Sequence, residues 1–241
     1  MHRPRYLWFL LTPILVVLVI SASGCGGVQE DQLVRKFFQS SRLGDNMTLA
    51  SIATVQFDPA KDGQASSVKI TNVSPEEAKP LHFKELDQAR KDAIAAETDF
   101  SKKMKDYQDK NFEAINRVLK IEATAGKEKG KDAEVQAAWT KWREEQAVLS
   151  KKVSEARVKL NHERRVADLS VADHDPTGFD ATEYSKDVTV TADVRMPNGQ
   201  TEKKTLVLTL QRVVLKDPAG GKDIEGKWMI TNLKEAGAAK S

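Results

Sequence analysis

Cys25 is the only cysteine in the chain and follows three small residues, Ala22-Ser23-Gly24. Before them lie a short basic head, Met1-His2-Arg3-Pro4-Arg5, and a run from Tyr6 to Ile20 that is apolar apart from Thr12 and Pro13. Basic head, apolar middle and small-residue end are what a secretory signal requires. The apolar run is shorter than the roughly 20 residues a spanning helix needs, and Pro13 removes a helix hydrogen bond. With one thiol no disulfide can form inside the chain, so stability has to come from packing even in an oxidising compartment. A second cluster is Asp173-His174-Asp175, whose carboxylates and imidazole are metal-ligand types. Three ligands so close in sequence do not easily converge on one ion without a second segment, and Asp beside Pro176 serves turns directly. A third is Lys127, Lys129 and Lys131, interleaved with Glu128. These lysines are candidates for an anionic lipid, a polymer or a partner, against the plainer reading of a solvated turn. No G-x-S-x-G, Gly-rich phosphate loop or H-E-x-x-H occurs, so no catalytic residue is assigned and no cofactor is expected. His82 and His162 sit on charged helices and read as solvent-facing.

Elements must hold these residues. Gly26 to Asp31 reads as a tether of about 20 Å. The spacing of Leu33, Val34, Phe37 and Phe38 predicts a helix over 31–42, closed by Gly44-Asp45-Asn46 and followed by a short helix around 47–53. Thr54-Val55-Gln56-Phe57 and Ser67 to Val73 read as extended. Ser74-Pro75-Glu76-Glu77 is a helix-start signal, and Pro80 breaks it, so a single turn is expected before a long helix over 81–123. Gly126 and Gly130 mark a turn, and Asp132 caps a helix running to Leu169. Along it Val135, Trp139, Trp142, Gln146, Leu149, Val153, Ala156 and Leu160 alternate steps of four and three, the spacing of a coiled-coil seam; Trp139 and Trp142 therefore read as core. Each arm of about 38 residues would be roughly 57 Å long. Three strands, 188–196, 205–215 and 226–231, close the chain as a meander with one buried side. Alternation sends Asp193 and Arg195 away from that side. The fold class is α+β: a bent antiparallel sheet packed on an N-terminal helix, with an inserted long antiparallel α-helical (coiled-coil) hairpin. The expected division is a signal over 1–24, a discontinuous cone-like domain over 25–73 and 184–235, the hairpin over 74–170, and a disordered tail over 236–241.

Ala22-Ser23-Gly24-Cys25 resembles the lipobox of bacterial lipoproteins, with Ala22 where that family usually has a larger aliphatic residue. The resemblance implies a thioether-linked diacylglycerol on Cys25, cleavage before it and acylation of the new amino group. Gly26, where sorted lipoproteins kept at the inner membrane carry Asp, fits transfer to an outer membrane. Val34-Arg35-Lys36-Phe37-Phe38 near the start and Gly226-Lys227-Trp228-Met229-Ile230 near the end resemble phrases in small bacterial lipoproteins built on the nuclear-transport-factor-two-like (cystatin-like) cone fold. The resemblance covers 31–73 and 184–233, and the hairpin stands where that family has a short helix or loop.

Of 38 Lys and Arg, two (Arg3 and Arg5) fall in 1–24, leaving 36 against 35 Asp and Glu. That balance gives no electrostatic case for nucleic acid. The expected partners are a membrane, through the lipid, and a protein. The leading reading is a non-enzymatic protein-interaction or structural module of the cell envelope, lipid-anchored and facing the periplasm. The alternative is a small-ligand-binding or catalytic cone-fold domain. A third, an efflux-type periplasmic adaptor, would flank its hairpin with lipoyl half-motifs, and none is visible.

Overall fold

Phe37 and Phe38 are both buried in the first helix, α1 (Val28–Leu43), in the computed structural model, which describes residues 27–124 and 130–237. Gly44 ends α1 in the left-handed region at φ 67°, where glycine carries no Cβ penalty. The Asp45 side chain then accepts from Thr48 N at 3.0 Å and caps α2 (Asn46–Ile52).

The sheet is antiparallel and curled. Two long strands form its middle, β3 (Asp180–Arg195) and β4 (Thr201–Lys216), paired without a register break from Asp180↔Lys216 to Arg195↔Thr201. β1 (Gln64–Val73) pairs with one end of β3 and β2 (Glu77–Leu81) with the other. β6 (Met229–Glu235) and the two-residue β5 (Ile224–Glu225) share the outer edge of β4 in the same way. In β1, Ser67 takes a φ of 49° at a pairing shift between Ser66 and Lys69; such a bulge blunts an edge strand.

The unbroken β3–β4 register makes the burial pattern informative. Val188, Val190, Ala192 and Val194 on β3 and Leu206, Leu208 and Leu210 on β4 are buried, all at even positions. Ala181, Val213 and Leu215 are also buried, at odd positions. Successive side chains in a strand point to opposite faces, so the buried face changes sides along the strands. The first core fills one face with α1, α2 and Phe57. The second lies on the opposite face at the other end of the sheet, where Leu81, Phe83, Leu160, Val166, Ala167 and Val171 cover Ala181, Val213 and Leu215. The expected boundary at 170 and 184 thus runs through residues that share one apolar cluster.

The long helices are α3 (Phe83–Lys110), α4 (Phe112–Glu122) and α5 (Lys131–Ser170). α3 lies against α5 from Phe83 to Tyr107: Phe83 shares a cluster with Leu160, Gln146 donates to Glu97, and Phe100 and Tyr107 lie 4.9 and 5.7 Å from the Trp142 ring. One uninterrupted helix over 81–123 is not found. Asn111 leaves the helical region at φ −116°, ψ 22°, and its side-chain amide donates to Tyr107 O at 2.9 Å, a local bond that competes with the helix ladder. Beyond this break Arg117 pairs with Asp132, while Glu122 meets Gln136 and Arg143. These contacts pack α4 on the first part of α5, and Ile115, Val118 and Trp139 are buried.

Three further expectations are corrected. Ser74–Pro80 forms no helical turn. Ser74 exchanges backbone and side-chain hydrogen bonds with Asp187, which locks the chain into the sheet, and Pro80 is tolerated because β2 is an edge strand. Residues 54–57 make no strand; Ala53 forms a single parallel bridge to Ile230, and the chain then buries Phe57 edge-on against Phe38 at 5.3 Å. The last strand is shifted to 229–235, since Gly226 to Trp228 turn beneath the end of α5. A Cβ on Gly226 would lie 2.6 Å from Val213 O and would collide with Ser170 Oγ, which donates to Lys227 O and accepts from Val213 N. Gly226→Ala is therefore expected to cost about 1–3 kcal/mol as overpacking, read as a lower urea midpoint at unchanged m. An unchanged midpoint would show that this junction is loose.

Candidate functional site

The even face of β3 continues past Val188 with Lys186 and Tyr184, and that of β4 continues past Leu210 with Arg212; Tyr184 and Arg212 are cross-strand partners. Here the apolar core gives way to charge. Lys186 Nζ lies 2.6 Å from Glu30 Oε1 in the first turn of α1 and 3.2 Å from Glu76 Oε1 in the link between β1 and β2. The side chains of Lys186 and Glu30 are only 7% and 11% exposed, so this is a buried pair. Arg212 reaches Glu76 at 3.5 Å and Glu225 at 3.2 Å. Trp228 joins the two cations: Lys186 Nζ lies 4.0 Å from its ring centre and the Arg212 guanidinium 4.9 Å, with Tyr184 5.4 Å from Arg212. An indole face attracts a desolvated cation by its quadrupole. Arg212 Nε is buried without a hydrogen-bond partner among the described residues.

This arrangement fastens separate segments together. An ammonium held between two carboxylates and an indole is not free to attack a substrate, whereas it does tie α1, the β1–β2 link and β3 to one point. Burial acts to raise the Glu30 carboxyl, and the hydrogen bond from Lys186 together with Glu30's own backbone N–H more than offsets it, so Glu30 titrates below the ordinary carboxylate value of 4.5. Its contribution to stability is present above that value and is lost as pH falls through the lowered one.

Glu183 faces the other side of the sheet and shows the opposite shift. Burial pushes its carboxyl above 4.5 and outweighs the attraction of Lys79; Gln211 donates to it at 2.9 Å. A raised acid destabilises the fold while it is charged, and the penalty disappears as pH falls through the raised value. Glu183→Gln is expected to raise the melting temperature at pH 7 and to leave it unchanged at pH 4. A lower melting temperature at pH 7 would show that the charge is favourable.

The residues singled out in the sequence lie elsewhere. Cys25, Lys127 and Lys129, with the expected signal, fall outside the described residues, as do 238–241 of the expected tail. Lys131 is exposed at the first position of α5. Asp175 caps the turn Pro176–Gly178, accepting from Thr177 N and Oγ1, and pairs with Arg164 at 3.3 Å. Asp173 and His174 are exposed. Among the described residues no three His, Cys, Asp or Glu side chains converge to hold a metal ion, and no helix is long and apolar enough to cross a membrane. The sequence did hold a signal for Lys186 and Arg212, since each continues, in phase, an alternating apolar series of its strand. Nothing local marks Glu30 or Glu76, because their role depends on long-range pairing. The chain matches no protein-family model, no curated protein and no solved structure.

Proposed function

We propose that this chain is an envelope lipoprotein, anchored through Cys25 and facing the periplasm, that acts by binding a protein partner rather than by catalysis. The sheet with α1 and α2 is read as a cone-like base, and α3 with α5 as an antiparallel coiled-coil hairpin projecting from it. One observation carries the reading. The face of the sheet where a cone would hold a ligand is filled by the chain's own Val188, Val190, Leu208, Leu210 and Phe37, all fully buried. The helices meanwhile offer a long surface: α5 has 40 residues and is about 60 Å long at 1.5 Å per residue. Phe112 and Leu119, seven apart on α4, and Val148 and Val158 on α5 are exposed. Exposed apolar side chains on a projecting element suit docking.

A small-ligand module has one observation in its favour. At the end of the sheet far from Lys186 a cleft of about 450 Å³ has Val55, Phe57, Leu206 and Leu233 in its walls and Lys204 and Glu235 at its rim.

The anchor is tested directly. Fatty-acid labelling of cells is expected to mark the wild-type chain, and Cys25→Ser is expected to lose both label and membrane retention. Firm retention of the Cys25→Ser variant would overturn the lipoprotein reading. One acyl chain binds membranes only marginally, at about 10⁴ M⁻¹, so tight retention of the wild type calls for more than one.

A further inference from the structure

Where α3 and α5 join the sheet they turn basic faces towards one cleft of about 490 Å³. Arg157, Asn161 and Arg164 on α5 are spaced i, i+4, i+7, and Arg90 and Lys91 on α3 follow Asp87 at i+3 and i+4, so each set occupies one face of its helix. The turn Pro176–Gly178 closes a side and brings Asp175 and Thr177.

The carboxylates do not saturate the cations. Asp87, only 7% exposed, holds Lys91 and Arg90 at 2.7 Å each, and those bonds keep its carboxyl below the ordinary value. Asp175 takes Arg164, which also reaches Asp168 at 3.0 Å. The side chains of Arg157 and Asn161, one turn apart, have no hydrogen-bond or ion-pair partner among the described residues. Four cations and two carboxylates line the cleft, and with Asp168 on Arg164 a surplus of one positive charge remains, at the unpaired Arg157.

We propose that this cleft binds a phosphoryl group. The fork of a guanidinium matches two oxygens of such a group, its negative charge offsets the surplus at Arg157, and Asn161 adds a neutral donor. The cleft exceeds what the anion alone fills, and Leu160 supplies an apolar wall, so the phosphoryl group is carried by a larger molecule, either a soluble phosphoester or a lipid headgroup. Binding ties α3, α5 and the turn together at the root of the helices, and a ligand that binds only the folded chain raises its melting temperature by mass action. The site is independent of the partner-binding reading.

The test uses the full chain in neutral detergent, titrated with inorganic phosphate and with glycerol 3-phosphate at ionic strength held constant with chloride. Saturable binding and a rising melting temperature are expected. Arg157→Ala, at an exposed position, should weaken binding about tenfold, the scale of losing one charge-assisted hydrogen bond, while Arg157→Lys weakens it less. Lys141→Ala, exposed on the same helix outside the cleft, should leave binding unchanged. Phosphatidic acid in mixed micelles separates the sources: binding tighter than that of glycerol 3-phosphate assigns the group to a lipid, and equal or weaker binding assigns it to a soluble ester. Equal affinity of Arg157→Ala and wild type, equal weakening by Lys141→Ala, or no saturable binding to any of the three would overturn the proposal.

Discussion

Lys186→Ala is expected to cost about 3–5 kcal/mol of folding stability, the range for removing one partner of a buried ion pair. Glu30 would be left 11% exposed with no cation beside it, whereas Glu76 would keep Arg212. The cost comes mainly from the stranded carboxylate, and that makes a second variant informative. Lys186→Met with Glu30→Gln removes both charges and nearly preserves shape, so it should recover a large part of the loss. Urea denaturation of both variants measures the difference. A loss below about 1 kcal/mol for Lys186→Ala, the scale of an exposed pair, would show that water reaches this cluster and that it does not fasten α1 to the sheet.

The second large effect concerns where the helices can be cut. Excising 81–169 removes Leu81, Phe83, Leu160, Val166 and Ala167, and with them the cover of Ala181, Val213 and Leu215. Burial of a Val or Leu side chain contributes about 1.5–3 kcal/mol by leaving water, so exposing Val171, Val213 and Leu215, with the smaller Ala181, costs roughly 4.5–9 kcal/mol, comparable with the roughly 5–15 kcal/mol by which a domain is usually stable. That variant is expected to be unfolded by circular dichroism. A cut further out should be tolerated. Ser150 and Gln146 on α5 both donate to Glu97 on α3, so removing 98–149 and bridging 97 to 150 with a short Gly/Ser turn joins facing positions and spares the second core. A cooperative transition in this shorter chain is the expected result. Its absence, or a folded 81–169 deletion, would contradict the two-core description.

The parts of the fold legible in the sequence were those governed by local pattern. Phe37 and Phe38, the steps from Val135 to Leu160, and the alternation from Val188 to Val194 and from Leu206 to Leu210 report periodicity, which is a property of neighbouring residues. Gly226-Lys227-Trp228-Met229-Ile230 stands out as a phrase, and four of its positions have a role in packing: Gly226 permits close approach, Trp228 holds two cations, Met229 and Ile230 are buried. What the pattern hid depends on distant partners. Ser74 looks like a helix cap until Asp187 is placed beside it. Asn111 interrupts a run of good helix formers by one side-chain bond. The exchange of buried faces between Lys186 and Ala181 could not be seen without the unbroken β3–β4 register, because a change of phase along a strand also reads as a bulge. The candidate site was hidden for the same reason, since Glu30, Glu76, Lys186, Arg212 and Trp228 come from five separate stretches of chain.

The claim that this molecule acts by docking a protein along its helices has a direct measurement. A photoreactive amino acid is placed in cells at position 148, exposed on α5, and in a second variant at position 198, exposed in the turn between β3 and β4. A crosslinked adduct of one defined mass is expected from position 148 and none from position 198. The same adduct should persist when Asp173, His174 and Asp175 are all replaced by alanine. No adduct from position 148, or one from position 198 that the triple alanine variant abolishes, would contradict docking along the helices and move the function to the sheet and the acidic loop.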